Sequence, residues 1–177
     1  MMKLTLIAPL LAAVAFNSHA FTLSSSDIQE GSRMADTFVF QGFGCSGDNL
    51  SPQLSWKDAP EGTKSFAITA YDPDAPTGSG WWHWLALDIP ASTTQLNQGA
   101  SGKLKQAHEM ENDYGAVGFG GACPPKGHGM HRYQFTVWAL PSEELALPKN
   151  PSNALIGYML NASALGKATL TATYVNE

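Results

Sequence analysis

Positive charge is scarce in this chain. Ten Lys and Arg stand against 15 Asp and Glu in 177 residues, a formal net charge of -5, and loss of the first twenty residues with Lys3 would leave nine basic residues against the same 15 acidic ones. With no basic face to meet phosphates, a nucleic-acid partner is excluded, although a discrete anion pocket is not. Long apolar runs are missing as well: past the N-terminus none approaches the roughly 20 residues that span a bilayer, so an integral membrane protein is not expected. There is no repeat, low-complexity tract or linker, which points to one domain over residues 21–177. No recognised zinc spacing occurs, and no Gly-x-Ser-x-Gly turn is present to carry a serine nucleophile.

What is present can bury a core, with 44% hydrophobic and 14% charged residues. An early Lys3, an apolar run from Leu4 to Phe16 interrupted by Pro9, and the small-residue ending Ser18-His19-Ala20 have the layout of a secretory signal peptide, residues 1–20, cleaved after Ala20. The mature chain is therefore expected to be soluble and exported, to a bacterial periplasm. Cys45 and Cys123 are the only cysteines, and in that compartment an even pair is expected to form a disulfide. Such a bond contributes on the order of 4 kcal/mol in the chain-entropy account. Two free thiols, or Cys123 as a nucleophile, are the competing readings.

Strand patterns dominate. Phe21 to Leu23, Asp36 to Phe40 and Leu54 to Trp56 read as short strands, with a Gly- and Asn-rich loop from Gln41 to Ser51. Phe66 to Tyr71, Trp82 to Ile89 and His131 to Leu140 read as stronger ones, the last two stopped by Pro90 and Pro141. Ala91 to Gly118 lacks a pattern and reads as a long surface connection with short pieces of structure. Glu143-Glu144-Leu145 suggests one helical turn. Ser152 or Asn153 can cap a helix that carries Leu155, Ile156, Met159 and Leu160 on one face, and Ala168 to Val175 alternates as a final strand. Irregular loops between strands, in place of regular βα alternation, predict a mainly β protein: antiparallel sheets stacked as a sandwich, with the helix at one end.

Two loop-then-strand units carry the chemistry. Asp72-Pro73-Asp74-Ala75-Pro76 follows one strand and leads to Trp81-Trp82-His83-Trp84; Gly120-Gly121-Ala122-Cys123-Pro124-Pro125-Lys126-Gly127 leads to His131-Arg132-Tyr133. The prolines stiffen the first loop, so the backbone aims its carboxylates, and they make a cis bond at Asp72-Pro73 or Ala75-Pro76 a reasonable expectation. Asp72, nearer the strand end, is expected to face a ligand, and Asp74 to make the turn. Strand alternation points His83 away from both Trp82 and Trp84. His83, His131 and a carboxylate give a cavity that can become cationic, with Tyr133 adding a hydroxyl on the His131 side. Gly120 and Gly121 would let backbone N–H groups approach a ligand oxygen beside the Pro124-Pro125 wall, and Trp81 would line an apolar rim. Arg132 faces away and is expected in a structural ion pair. A metal held by Asp72, His83 and His131, or by Cys123, His128 and His131, and a hydrolase using a serine such as Ser79 are weaker readings of the same residues.

These motifs, together with Asn49-x-Ser51-Pro52-x-Leu54-x-Trp56 and the Gly-Phe-Gly-Gly run, resemble the signatures of the phosphatidylethanolamine-binding protein family, and most closely its bacterial Raf-kinase-inhibitor-like branch. The resemblance spans the mature chain. It implies a two-sheet β fold and a small pocket for phosphate or phospholipid headgroups, with Asp72, His83, His131 and Tyr133 at the matching positions and Gly121 and Pro125 in the wall. It implies a ligand-binding protein or a modulator of kinases and proteases, without catalytic residues, metal or cofactor. Cys123 departs from the eukaryotic pattern, which has Gly before the Pro-Pro pair. The eukaryotic C-terminal helix is not expected, so kinase inhibition does not carry over. The expectation is a non-enzymatic periplasmic binding protein for a small anion or phosphorylated headgroup; a protein-interaction or inhibitor module and a hydrolase are the alternatives. A second copy of the chain is a further candidate partner.

Overall fold

Three runs free of internal Gly and rich in β-branched and aromatic residues form the longest strands of the protein, a computed structural model that describes residues 20–177. The expected signal peptide, apart from Ala20, lies outside the described residues. In chain order the strands are β1 (Thr22–Ser24), β2 (Gln41–Gly42), β3 (Cys45–Ser46), β4 (Leu54–Lys57), β5 (Ser65–Asp72), β6 (Trp81–Pro90), β7 (Gln95–Leu96), β8 (His108–Glu109), β9 (His131–Leu140) and β10 (Gly166–Tyr174). One α-helix, α1 (Asn153–Ser163), stands among the described residues, between β9 and β10. A five-stranded sheet has the order β10-β9-β5-β6-β8 and a three-stranded sheet the order β1-β4-β7, every pairing antiparallel.

The mainly β, two-sheet architecture expected from the sequence is the one observed. β5, β6 and β9 are the central strands of the larger sheet and are covered on both faces, so their residues are apolar nearly continuously instead of alternating. Phe66, Ile68, Trp84, Phe135 and Val137 pack inward against Leu54, Trp56 and Leu96 of the smaller sheet. Ala67, Leu85, Leu87, Trp138 and Leu140 form a second apolar layer with Ile156 and Leu160 of α1. The helix thus lies across the outer face of the large sheet, not at one end of a sandwich, because that face carries apolar side chains that need a cover. Ser152 caps the helix by accepting from the Leu155 N–H.

Other expectations need correction. Asp36–Phe38 is a 3-10 turn, not a strand; Val39 then bridges Ala122 in parallel, with the Phe40 N–H donating to the Ala122 carbonyl and the Ala122 N–H to the Phe38 carbonyl. Long-range pairing to a distant loop overrides the local alternation there. Glu143 to Leu145 forms no helical turn; the Leu145 N–H is taken by the Asp88 carboxylate instead. No peptide bond is cis among the described residues, so both prolines of the Asp72–Pro76 loop follow trans bonds. The connection from Ala91 to Gly118 carries only the two-residue strands β7 and β8.

Candidate ligand-binding site

Because β6, β5 and β9 are antiparallel neighbours, the end of β5 and the starts of β6 and β9 come to one edge of the sheet. Asp72, Trp81, His83 and His131 are brought together there. Asp72 and His131 are buried, and the His131 Nδ1–H donates to Asp72 Oδ2 over 2.7 Å. The Asp74 N–H donates to Asp72 Oδ1 over 2.8 Å, so the Asp-Pro-Asp loop folds back on its own carboxylate. Asp74 turns away and receives two guanidinium N–H groups of Arg132, at 2.9 and 2.7 Å. Those hydrogen bonds hold the Asp74 carboxyl down to about 2.

His83 sits where the β5–β6 register slips: Ala70 pairs Trp84 and Tyr71 pairs Trp82, leaving His83 opposite no residue. This bulge changes which way the side chains face. Trp82 packs toward Tyr71 and Gly157 of α1. His83 meets Tyr133 edge-on at 5.1 Å, and Trp84 meets Phe119 at 5.8 Å, both on the inner side of the sheet. The alternation that would have set His83 across from both indoles is broken by one inserted residue.

The His83 ring is fixed from behind. Its Nδ1 lies 2.8 Å from the Gly120 carbonyl and 3.1 Å from the Gly121 carbonyl; two acceptors require that Nδ1 carries the hydrogen. Nε2 is therefore a bare lone pair in the neutral ring. It is buried and has no hydrogen-bond partner. Burial pushes the imidazole pKa below its usual value, against the opposing effects of the two carbonyls, Asp72 and Asp113.

The glycine loop serves a different role from the one expected. The Gly120 N–H donates to the His83 carbonyl (2.8 Å) and the Gly121 N–H to Asn49 Oδ1 (2.7 Å), so neither amide is available to a ligand. Both residues act through their carbonyls, which orient His83. Gly121 passes so close to the backbone of Phe38–Phe40 that a Cβ would overlap it. Pro125, in the following loop, does line the cavity.

That cavity, about 170 Å³, is bounded by Asp72, His83, His131, Trp81, Phe43, Tyr114 and the Cys123–Pro125 segment. A Cys45–Cys123 disulfide ties its wall to the loop that carries Phe43. Tyr133 lies behind His83; its hydroxyl is buried without a partner, and burial pushes its pKa up, so it stays an O–H donor. Tyr114 and Phe43 escaped the sequence reading as parts of this pocket. Tyr114 stacks on Phe40 at 3.9 Å, meets His83 at 5.5 Å and donates to the Gly121 carbonyl; it comes from the aperiodic segment, where only its aromatic character stood out. His128 Nδ1 lies 2.7 Å from His131 Nε2, so the two rings share one hydrogen and His128 covers the free nitrogen of His131. Among the described residues no group of three or more His, Cys, Asp or Glu is arranged to hold a metal ion.

Four buried side-chain polar atoms lack a partner among the described residues: Trp56 Nε1, Trp81 Nε1, His83 Nε2 and Tyr133 Oη. Three of the four belong to this cluster. An unpartnered buried polar group is costly, and here one donor (Trp81) and one acceptor (His83) are left open on residues that line one small cavity, with the Tyr133 hydroxyl behind His83. Chemically, this arrangement can accept one hydrogen bond from a ligand through His83 and donate one through Trp81.

A small cavity of this kind at the edge of a two-sheet β fold is of a size to take a small ligand, and comparison with known proteins gives the family. The family model for phosphatidylethanolamine-binding protein matches residues 24–175. The chain is 49% identical over 180 residues to the UPF0098 protein YbcL of Escherichia coli strain K12, covering 98% of each. It is 45% identical over 156 residues to YbhB of the same strain, covering 86% of this chain and 98% of YbhB. The crystal structure of Escherichia coli YbcL, described as a new member of the mammalian PEBP family, superposes with a TM-score of 0.85 at 51% identity, covering 89% of this chain and 99% of that one. The chain belongs to the phosphatidylethanolamine-binding protein family.

Proposed function

We propose that this protein is an exported, non-enzymatic binding protein whose pocket holds a small oxyanion head, such as phosphate or a phosphorylated headgroup. The observation that carries the reading is that two side chains lining the cavity, Trp81 and His83, each hold a buried polar atom without a partner, Nε1 and Nε2. Its volume of about 170 Å³ suits a phosphate-sized group with a short substituent. Asp72 serves to set His131, and His131 and His83 form the polar floor. Binding without catalysis is supported by the lining itself: the Cys123 sulfur is spent in the disulfide, and the Thr77 hydroxyl donates to the Gly80 carbonyl, so neither is a nucleophile paired with His131. Export to a periplasm rests on the N-terminal twenty residues and agrees with the disulfide; N-terminal sequencing of the exported protein should begin at Phe21, and an intact Met1 would contradict it.

Isothermal calorimetry with inorganic phosphate and phosphorylethanolamine tests the reading. The wild type should bind one equivalent more tightly at pH 5.5 than at pH 8, and His83→Ala should lose at least tenfold in affinity. Equal heats from the two proteins would remove His83 from the site and the reading with it.

A further inference from the structure

We infer that His83 Nε2 is a hydrogen-bond acceptor that selects ligands bringing their own proton, so the pocket takes the singly protonated head of a phosphoryl monoester or phosphonate in preference to its dianion or to a diester. The inference rests on the oxyanion reading above and adds which ionic form and which ester class the site accepts.

The argument begins behind the ring. Two carbonyls on Nδ1, at 2.8 and 3.1 Å, fix the tautomer. Reversing it would set a lone pair against two carbonyl oxygens and take from the Gly120 carbonyl its donor. The atom at the cavity is then a lone pair on a ring only 3% exposed. A fully ionised oxyanion oxygen placed there meets a lone pair with a lone pair, whereas a P–OH group donates to it.

The surroundings push the same way. Asp72 is almost wholly buried, lines the same cavity and accepts from the His131 Nδ1–H and the Asp74 N–H, so it offers a ligand oxygen no donor. The residues that face His83 offer no compensating cation. Asp72 and Asp113 are carboxylates, Tyr114 and Tyr133 are hydroxyls kept neutral by burial, and the loop amides of Gly120 and Gly121 are already engaged. Arg132 is exposed and held by Asp74. His131 shares one hydrogen with His128. A remaining oxygen of a monoanion can accept from the Trp81 donor, so a head with one O–H and an acceptor oxygen matches both open atoms of the lining.

The test varies the ligand and leaves the protein intact. Methylphosphonate, difluoromethylphosphonate (whose second pKa is lower) and dimethyl phosphate (which has no second proton) are titrated calorimetrically from pH 5 to pH 8. Affinity should fall about tenfold per pH unit above each phosphonate's own second pKa, so the fall begins at lower pH for the difluoro compound. Dimethyl phosphate should bind at least tenfold more weakly than methylphosphonate at pH 5.5. A common onset for both phosphonates would assign the proton to the protein and overturn the inference, as would affinity that is flat or rising with pH, or diester binding equal to that of methylphosphonate. If none of the probes binds at any pH, the oxyanion reading fails and the inference fails with it.

Discussion

At the scale of single residues the site is defined by what its atoms have left to do. Tyr133 Oη is buried with no hydrogen-bond partner. Removing such a hydroxyl relieves an unmet desolvation cost, so Tyr133→Phe should leave the melting temperature unchanged or raised. Phosphate affinity should nevertheless fall about fivefold to tenfold, the worth of one net hydrogen bond of roughly 1–1.5 kcal/mol. A variant that loses stability but not affinity would show the hydroxyl to be structural. His83 has a pH signature of its own. Its folded pKa is depressed by burial, so below about pH 6.5, the unfolded value, the unfolded chain takes up a proton that the folded ring refuses. The stability it contributes is present above that pH and is lost as pH falls through the imidazole range, at up to ~1.4 kcal/mol per pH unit. Urea unfolding of wild type and His83→Gln from pH 7.5 to 5 should show this slope in the first protein and a smaller one in the second.

At the scale of elements, the bulge in β6 and the glycine loop behind it act as one device. The bulge turns His83 inward, and the Gly120 and Gly121 carbonyls set its tautomer. Gly121 is required because its Cα passes against the Phe38–Phe40 backbone. Gly121→Ala should cost roughly 2–3 kcal/mol by overpacking, whereas Gly127→Ala, where nothing lies within 4 Å and only the φ of +75 resists, should cost about 1 kcal/mol. Equal melting temperatures for the two variants would contradict the close-approach argument. The disulfide joins two further pieces, the loop bearing Phe43 and the segment bearing Pro124 and Pro125, across 78 residues of sequence. In the chain-entropy account, reduction should lower stability by about 4 kcal/mol, and phosphate affinity should fall with it, because both tethered segments line the cavity. Unchanged affinity in a folded, reduced protein would show that the pocket wall does not depend on the bond.

At the scale of the whole molecule, layering explains which features the sequence made legible. β9 was expected over His131 to Leu140 and is found there; β5 and β6 extend their expected spans by only one or two residues. Those strands are covered on both faces, so their apolar runs have no other interpretation. The helix was equally clear from its Ser152 cap and apolar stripe. Its place on the outer face was not, because alternation in a two-sided strand does not say what covers which side. Asp72, His83, His131, Trp81 and Pro125 were singled out from residue type and loop context. Tyr114 and the tautomer of His83 were not, since one lies in a segment without periodicity and the other depends on carbonyls 37 and 38 residues away. The expected amide donors give way to a loop whose N–H groups are spent on the His83 carbonyl and Asn49. That difference arises from long-range hydrogen bonds that no local pattern encodes.

The unpartnered Nε2 of His83 is the centre of this account, and nitrogen-15 NMR of histidine-labelled protein reads it directly. Free protein at pH 6 should show a neutral His83 with hydrogen on Nδ1 and a bare Nε2. Saturating inorganic phosphate should then shift the His83 Nε2 resonance toward the hydrogen-bonded position, more than the resonances of exposed His108. A His83 that is already doubly protonated in the free protein, or whose Nε2 resonance does not move on adding phosphate, would contradict the account.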